Sequence, residues 1–106
     1  MLVVDKENFE AEVINSAVPV IVDIWGPKCG PCLALMPHVE ALAADYEEKI
    51  KFCKLNAAEN RRLLISLRVM SLPTFLFYKG GERLQMVTGG ETTIEQIRDG
   101  AEKLLA

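Results

Sequence analysis

The run Val20-Ile21-Val22-Asp23-Ile24-Trp25, apolar except for Asp23, leads after three intervening residues into Cys29-Gly30-Pro31-Cys32. A segment apolar on both faces belongs in a sheet covered on both sides. A proline in the cysteine motif fits the first turn of a helix, where its missing N–H costs no hydrogen bond. The chain is thereby committed to a buried, central strand that gives way to a helix, with two thiols at the turn. There the first sulfur faces the unpaired N–H groups of the helix start, which favour its thiolate together with the positive end of the helix dipole. Cys32, half a turn on, is within reach to close a small ring. This is the chemistry of dithiol exchange.

A Cys-x-x-Cys pair also opens zinc sites, but those need four ligands and normally a second pair. The remaining candidates, Cys53 and His38, stand at no recognised ligand spacing. A zinc-stabilised interaction module is therefore the rival reading, and two inert cysteines a lesser one. With 106 residues, half of them apolar, the chain is expected to form one domain over residues 1–106. A net charge of −3 with mixed signs provides no basic footprint for nucleic acid and no basic amphipathic helix for a membrane. The start Met1-Leu2-Val3-Val4-Asp5-Lys6-Glu7 lacks the charged and apolar regions of a leader. A cytoplasmic protein is expected, in whose reducing surroundings an odd set of three cysteines is not a disulfide framework.

Periodicity predicts the remaining elements. Leu2–Val4 reads as a strand, with Asp5 capping a helix on Phe9, Val13, Ile14 and Ala17. From Pro31 to about Glu48 a helix presents Cys32, Leu35, Met36, Val39, Leu42, Ala43 and Tyr46, with a kink expected at Pro37. Ile50–Leu55 is a strand, and Asn56 with Glu59 resembles a helix-start box before Leu63, Leu64 and Leu67. Thr74–Tyr78, the turn Lys79-Gly80-Gly81-Glu82 and Leu84–Thr88 form a hairpin. Thr92-x-x-Glu95 is expected to cap a last helix with the stripe Ile94, Ile97, Ala101, Leu104 and Leu105. The alternation of strands and helices implies a three-layer α/β domain with one sheet between helices.

Taken together, Val22-Asp23-Ile24-Trp25, Cys29-Gly30-Pro31-Cys32, Pro37, Lys54-Leu55-Asn56, Leu72-Pro73-Thr74, Lys79-Gly80-Gly81-Glu82 and Gly89 resemble the thioredoxin family, in order and at its intervals over essentially the whole chain. The resemblance implies the thioredoxin fold: a mixed five-stranded sheet of order 1-3-2-4-5, four flanking helices and a cis peptide before Pro73. It implies a protein disulfide reductase acting as an electron carrier, in which Cys29 attacks a substrate disulfide and Cys32 resolves the mixed disulfide. The implied partners are a thioredoxin reductase and disulfide-containing proteins, the implied state is a monomer, and no bound cofactor or metal is implied. A non-catalytic adaptor of the same fold would be expected to lose Cys29, Cys32 or Asp23, and all three are present.

The other site residues follow from both arguments. Asp23 is a lone carboxyl in an apolar strand, so burial should raise its pKa. The resemblance makes it the proton partner of Cys32. Lys54 alternates with Phe52 on one strand face and matches the family's lysine near that carboxyl, with a solvated strand-end lysine as the competing reading. The resemblance implies that Pro73 and Leu72, the latter with its backbone left open to an extended substrate, form a docking edge together with Gly30, Pro31, Gly89 and Gly90, with a plain strand-start proline as the competing reading of Pro73. Trp25 supports the same surface or simply packs in the core. Cys53 reads as a small buried hydrophobe and His38 as a surface residue. Lys28 stands where the family usually has Trp, Leu33 where it often has Lys or Arg, and Met70 and Ser71 where a basic residue and Gly are common, so the surface around the thiols is altered.

Overall fold

A computed structural model describes residues 1–106. The strands are β1 (Leu2–Val3), β2 (Val20–Trp25), β3 (Lys51–Asn56), β4 (Thr74–Lys79) and β5 (Glu82–Thr88). A π-helical segment, Glu10–Ile14, and three α-helices, α1 (Gly30–Asp45), α2 (Arg61–Ser66) and α3 (Ile94–Leu105), flank them. The sheet order is β1-β3-β2-β4-β5, with β1, β3 and β2 parallel and β4 and β5 antiparallel to their neighbours. The apolar run thus lies in the middle of the sheet, hydrogen-bonded on both sides.

Alternation along β2 divides the core into two layers. Val20, Val22 and Ile24 pack with Cys53, Leu55, Leu76 and Tyr78 under the N-terminal segment and α2. Ile21 faces the other way with Phe52, Phe75 and Phe77, and this layer is closed by Val39 and Leu42 of α1 and by Ile97, Ala101 and Leu104 of α3. A Cβ on Gly100 would lie 2.4 Å from the Phe77 ring, so the absence of a side chain lets α3 approach the sheet. The β4–β5 hairpin turns on Gly80 and Gly81, both at positive φ, as the two-residue turn between antiparallel strands requires.

Several boundaries differ from the periodic reading. The first helix is one π-helical turn ending at Ile14, although Asp5 does cap its approach by accepting from the N–H groups of Glu7 and Asn8. Helix α1 runs unbroken through Pro37 but stops at Asp45, because the chain reverses through Glu48 at φ 74° to enter β3. Asn56 caps only a short 3₁₀ turn, accepting from Ala58 N–H. Asn60 then interrupts that turn, and α2 begins at Arg61. The capping box of α3 lies one residue later than expected. The Thr93 hydroxyl accepts from Gln96 N–H while the Gln96 side chain accepts from Thr93 N–H. Thr92 instead donates to the Gly89 carbonyl and closes the preceding turn. Leu105, at the end of the expected stripe, is exposed.

Candidate redox site

The C-terminal ends of β2 and β3 lie side by side, with Trp25 in register with Asn56. Everything that follows either strand therefore emerges at one edge of the sheet, where α/β folds commonly place their sites. The β2–α1 loop turns on a hydrogen bond from Cys29 N–H to the Gly26 carbonyl, 3.1 Å. Cys29 is the N-cap of α1 and Pro31 sits in its first turn. The Cys29 Sγ accepts from Cys32 N–H at 3.2 Å, and the Cys29 carbonyl accepts from Leu33 N–H at 3.1 Å. A helix end that offers a free N–H to a sulfur stabilises negative charge on it. The two sulfurs are joined in a disulfide across a Cα separation of 5.3 Å. Cys29 is half-buried whereas Cys32 is only 2% exposed.

Asp23 projects into the α1/α3 layer and is 2% exposed. Burial pushes its carboxyl from 3.8 up to about 7, and the ammonium of Lys54 opposes that rise. Lys54 is directly opposite on β3 and half-buried. No ion pair joins them; the ion pairs of the molecule are Lys51–Glu12 and Arg98–Asp45. Cys53 points into the opposite layer, where burial raises its thiol to about 11 and leaves it a packing residue. His38 is exposed on α1, and no three His, Cys, Asp or Glu side chains converge as a metal-ligand group.

The Leu72–Pro73 peptide is cis. The Pro73 carbonyl accepts from Gly89 N–H at 3.0 Å, which ties this segment to the end of β5. Neither the N–H nor the carbonyl of Leu72 has an intramolecular partner. Thr74 steadies the segment from below, its hydroxyl bonding the Ser71 carbonyl at 2.6 Å and the Thr88 hydroxyl at 2.7 Å. A groove of about 580 Å³ opens beside Cys29. One wall is the loop Gly26–Cys29, including Lys28; the other is Ala57, Ala58 and Arg61 after β3, with Leu72. Gly89 and Gly90 belong to a separate polar recess with Thr88, Glu91 and Thr92, although Gly90 comes close enough that a Cβ there would touch Pro31 at 3.6 Å. Trp25, half-buried at the end of β2, lines neither hollow.

The sequence reading missed the groove's second wall. Parallel pairing of β3 with β2 was the available signal, since it carries the residues after Asn56 to the edge that holds the cysteines.

The thioredoxin family model matches residues 1–103. The chain belongs to the thioredoxin family. It is 47% identical over 94 residues to a thioredoxin of Peptoclostridium acidaminophilum, covering 89% of this chain and 86% of that one. Thioredoxin 1 of a Nostoc species is 42% identical over 95 residues, covering 88% of this chain and 89% of its own. A chloroplastic M-type thioredoxin of Chlamydomonas reinhardtii is 37% identical over 86 residues, which are 81% of this chain and 61% of the alga's. The fold matches the family's, as the sheet order shows. The protein is a thiol–disulfide oxidoreductase of this family with the Cys29–Cys32 pair as its redox-active centre, and the zinc-module and adaptor readings are not favoured.

Proposed function

We propose that the chain works as one domain over residues 1–106, a monomeric electron carrier that reduces disulfides in other proteins and is itself re-reduced by a thioredoxin reductase. The observation that carries the assignment of roles is the asymmetry of the cysteines. Cys29 is accessible at the helix start with an N–H directed at its sulfur, while Cys32 lies beneath it. In the reduced protein the Cys29 thiolate attacks one sulfur of a substrate disulfide, forming a mixed disulfide and releasing the other sulfur as a thiolate. Cys32, once deprotonated, attacks Cys29 Sγ. The substrate then leaves with two thiols and the protein keeps the Cys29–Cys32 disulfide, so two electrons have moved to the substrate.

Asp23 takes the proton of Cys32 in this scheme. Its carboxyl titrates near 7, where a group can accept and return a proton at ordinary pH. Lys54 tunes it electrostatically from the adjacent strand. The open backbone groups of Leu72 pair with an extended substrate segment, beside Pro73, with Lys28, Gly30, Pro31, Gly89 and Gly90 around the docking edge and Trp25 supporting it. The scheme needs no cofactor beyond the dithiol and no metal, nucleic acid or membrane. No helix is long and apolar enough to cross a membrane. The family's reducing role supports the cytoplasmic reading, against which the chloroplastic relative is the alternative.

Reduction of the interchain disulfides of insulin, with dithiothreitol as electron donor, tests the proposal. Precipitation of the freed insulin chains much faster than with the donor alone is expected, whereas a rate equal to the donor's contradicts it.

A further inference from the structure

Both cations at the mouth of the Cys29 groove are unengaged. Lys28 on one wall and Arg61 on the other are exposed and take part in neither of the molecule's ion pairs. The groove's lining contains no carboxylate. Glu59, beside Ala58 in sequence, lines instead a polar cleft with Asp5, Lys6 and Glu7, and a small recess where Lys6, Arg61 and Arg62 outnumber it. Glu91 lies across Gly90 in the other recess. Beside Arg61 the groove's second wall offers Ala57, Ala58 and Leu72, an apolar lining with unpaired backbone groups at Leu72.

From this arrangement we infer that the groove selects disulfide substrates whose reactive cystine is flanked by acidic residues. The inference rests on the reductase reading and adds a substrate class to it. An extended segment paired with Leu72 runs past Cys29 between Lys28 and Arg61, so carboxylates next to its cystine meet two positive charges and no negative one. The rest of the surface reinforces the choice. The molecule carries −3 overall, so an acidic partner is repelled elsewhere and is oriented groove-first. A basic flank meets the opposite field.

The test uses two peptides, each closed by one intramolecular disulfide and identical except for two Glu or two Lys beside the cystine. The readout is the ratio of kcat/KM for the acidic over the basic peptide, with hydroxyethyl disulfide as a neutral substrate. Exposed charge pairs contribute modestly and are screened by salt, so a ratio of roughly fivefold or more is expected at low ionic strength, falling toward one in concentrated salt. Arg61→Glu should lower the ratio by about the same factor. A wild-type ratio near one at low salt, or a ratio that Arg61→Glu leaves unchanged, overturns the inference. Failure to reduce hydroxyethyl disulfide as well strikes instead at the reductase reading. Docking is then read without chemistry, from the amide NMR shifts of Ala57, Ala58 and Leu72 on titration with the same peptides carrying Ser for Cys. Larger shifts with the acidic peptide support the inference, and equal shifts refute it.

Discussion

Asp23 and Lys54 face each other across adjacent parallel strands, yet no ion pair forms between them, and the carboxyl titrates near 7 instead of in the usual acid range. Desolvation outweighs the attraction of the neighbouring ammonium. Burial thus brings the carboxyl near neutrality, and it lies in the layer that α1 covers, the helix that carries the buried Cys32.

Stability should report this directly. Burial holds the Asp23 carboxyl at about 7 in the folded chain against its ordinary 3.8, so between those values the folded state keeps a proton that the unfolded state has released. The stability associated with the neutral carboxyl is complete below about pH 4, declines as pH rises, and is gone above about 7. At ~1.4 kcal/mol per pH unit the full loss is on the order of 4 kcal/mol. Asp23→Asn should therefore be more stable than the wild type by a few kcal/mol at pH 8 and by little at pH 4, while its resolving step slows near neutrality. Chemical denaturation of both proteins at the two pH values checks the first part. Lys54→Met should move the Asp23 titration, followed by NMR, further upward, because the ammonium holds it down.

Lys28 is expected to act on the redox site by two opposed routes. Its ammonium, next to Cys29 in sequence, favours the thiolate, while the indole that is usual at this position would add apolar docking area. Lys28→Trp and Lys28→Ala should both modestly disfavour the Cys29 thiolate, as expected for loss of a screened surface charge. Only Lys28→Trp should also gain rate with a generic thioredoxin reductase. Thiolate absorbance against pH, read beside the reductase rates, separates the routes; unchanged values in both variants would make Lys28 a bystander.

Gly100 should be irreplaceable for a packing reason. Alanine ordinarily strengthens a helix by about 1 kcal/mol over glycine. Here its Cβ would lie 2.4 Å and 2.7 Å from two atoms of the Phe77 ring, both groups being buried between α3 and the sheet. Overpacking of this kind costs about 1–3 kcal/mol and should outweigh the helix gain, giving Gly100→Ala a lower Tm. A raised Tm would show that α3 can shift away from the sheet.

The sequence exposed those parts of the structure whose signals are local. Val20–Trp25 is apolar on both faces because β2 has neighbours on both sides and helices above and below, so its central place followed from composition alone. The Cys29–Cys32 turn was legible because proline and the second thiol have few other reasons to stand there. Strand order and the cis bond at Pro73 needed the family resemblance, since nothing in a strand's own residues names its neighbours. Helix ends were the least legible. Thr92 and Thr93 are both able caps; Thr93 accepts from Gln96 N–H at the start of α3, while the Thr92 hydroxyl donates to the Gly89 carbonyl in the preceding turn. Arg61 escaped notice because its importance arises from the parallel register of β2 and β3, which joins segments about 30 residues apart in the chain.

The division of labour between the cysteines is tested most directly by intact-mass spectrometry of Cys32→Ser incubated, after reduction, with a disulfide-bonded protein substrate. The account predicts one stable mixed disulfide per molecule, mapped to Cys29, and no sustained turnover. Turnover at the wild-type rate, or an adduct that maps to Cys53, would contradict it.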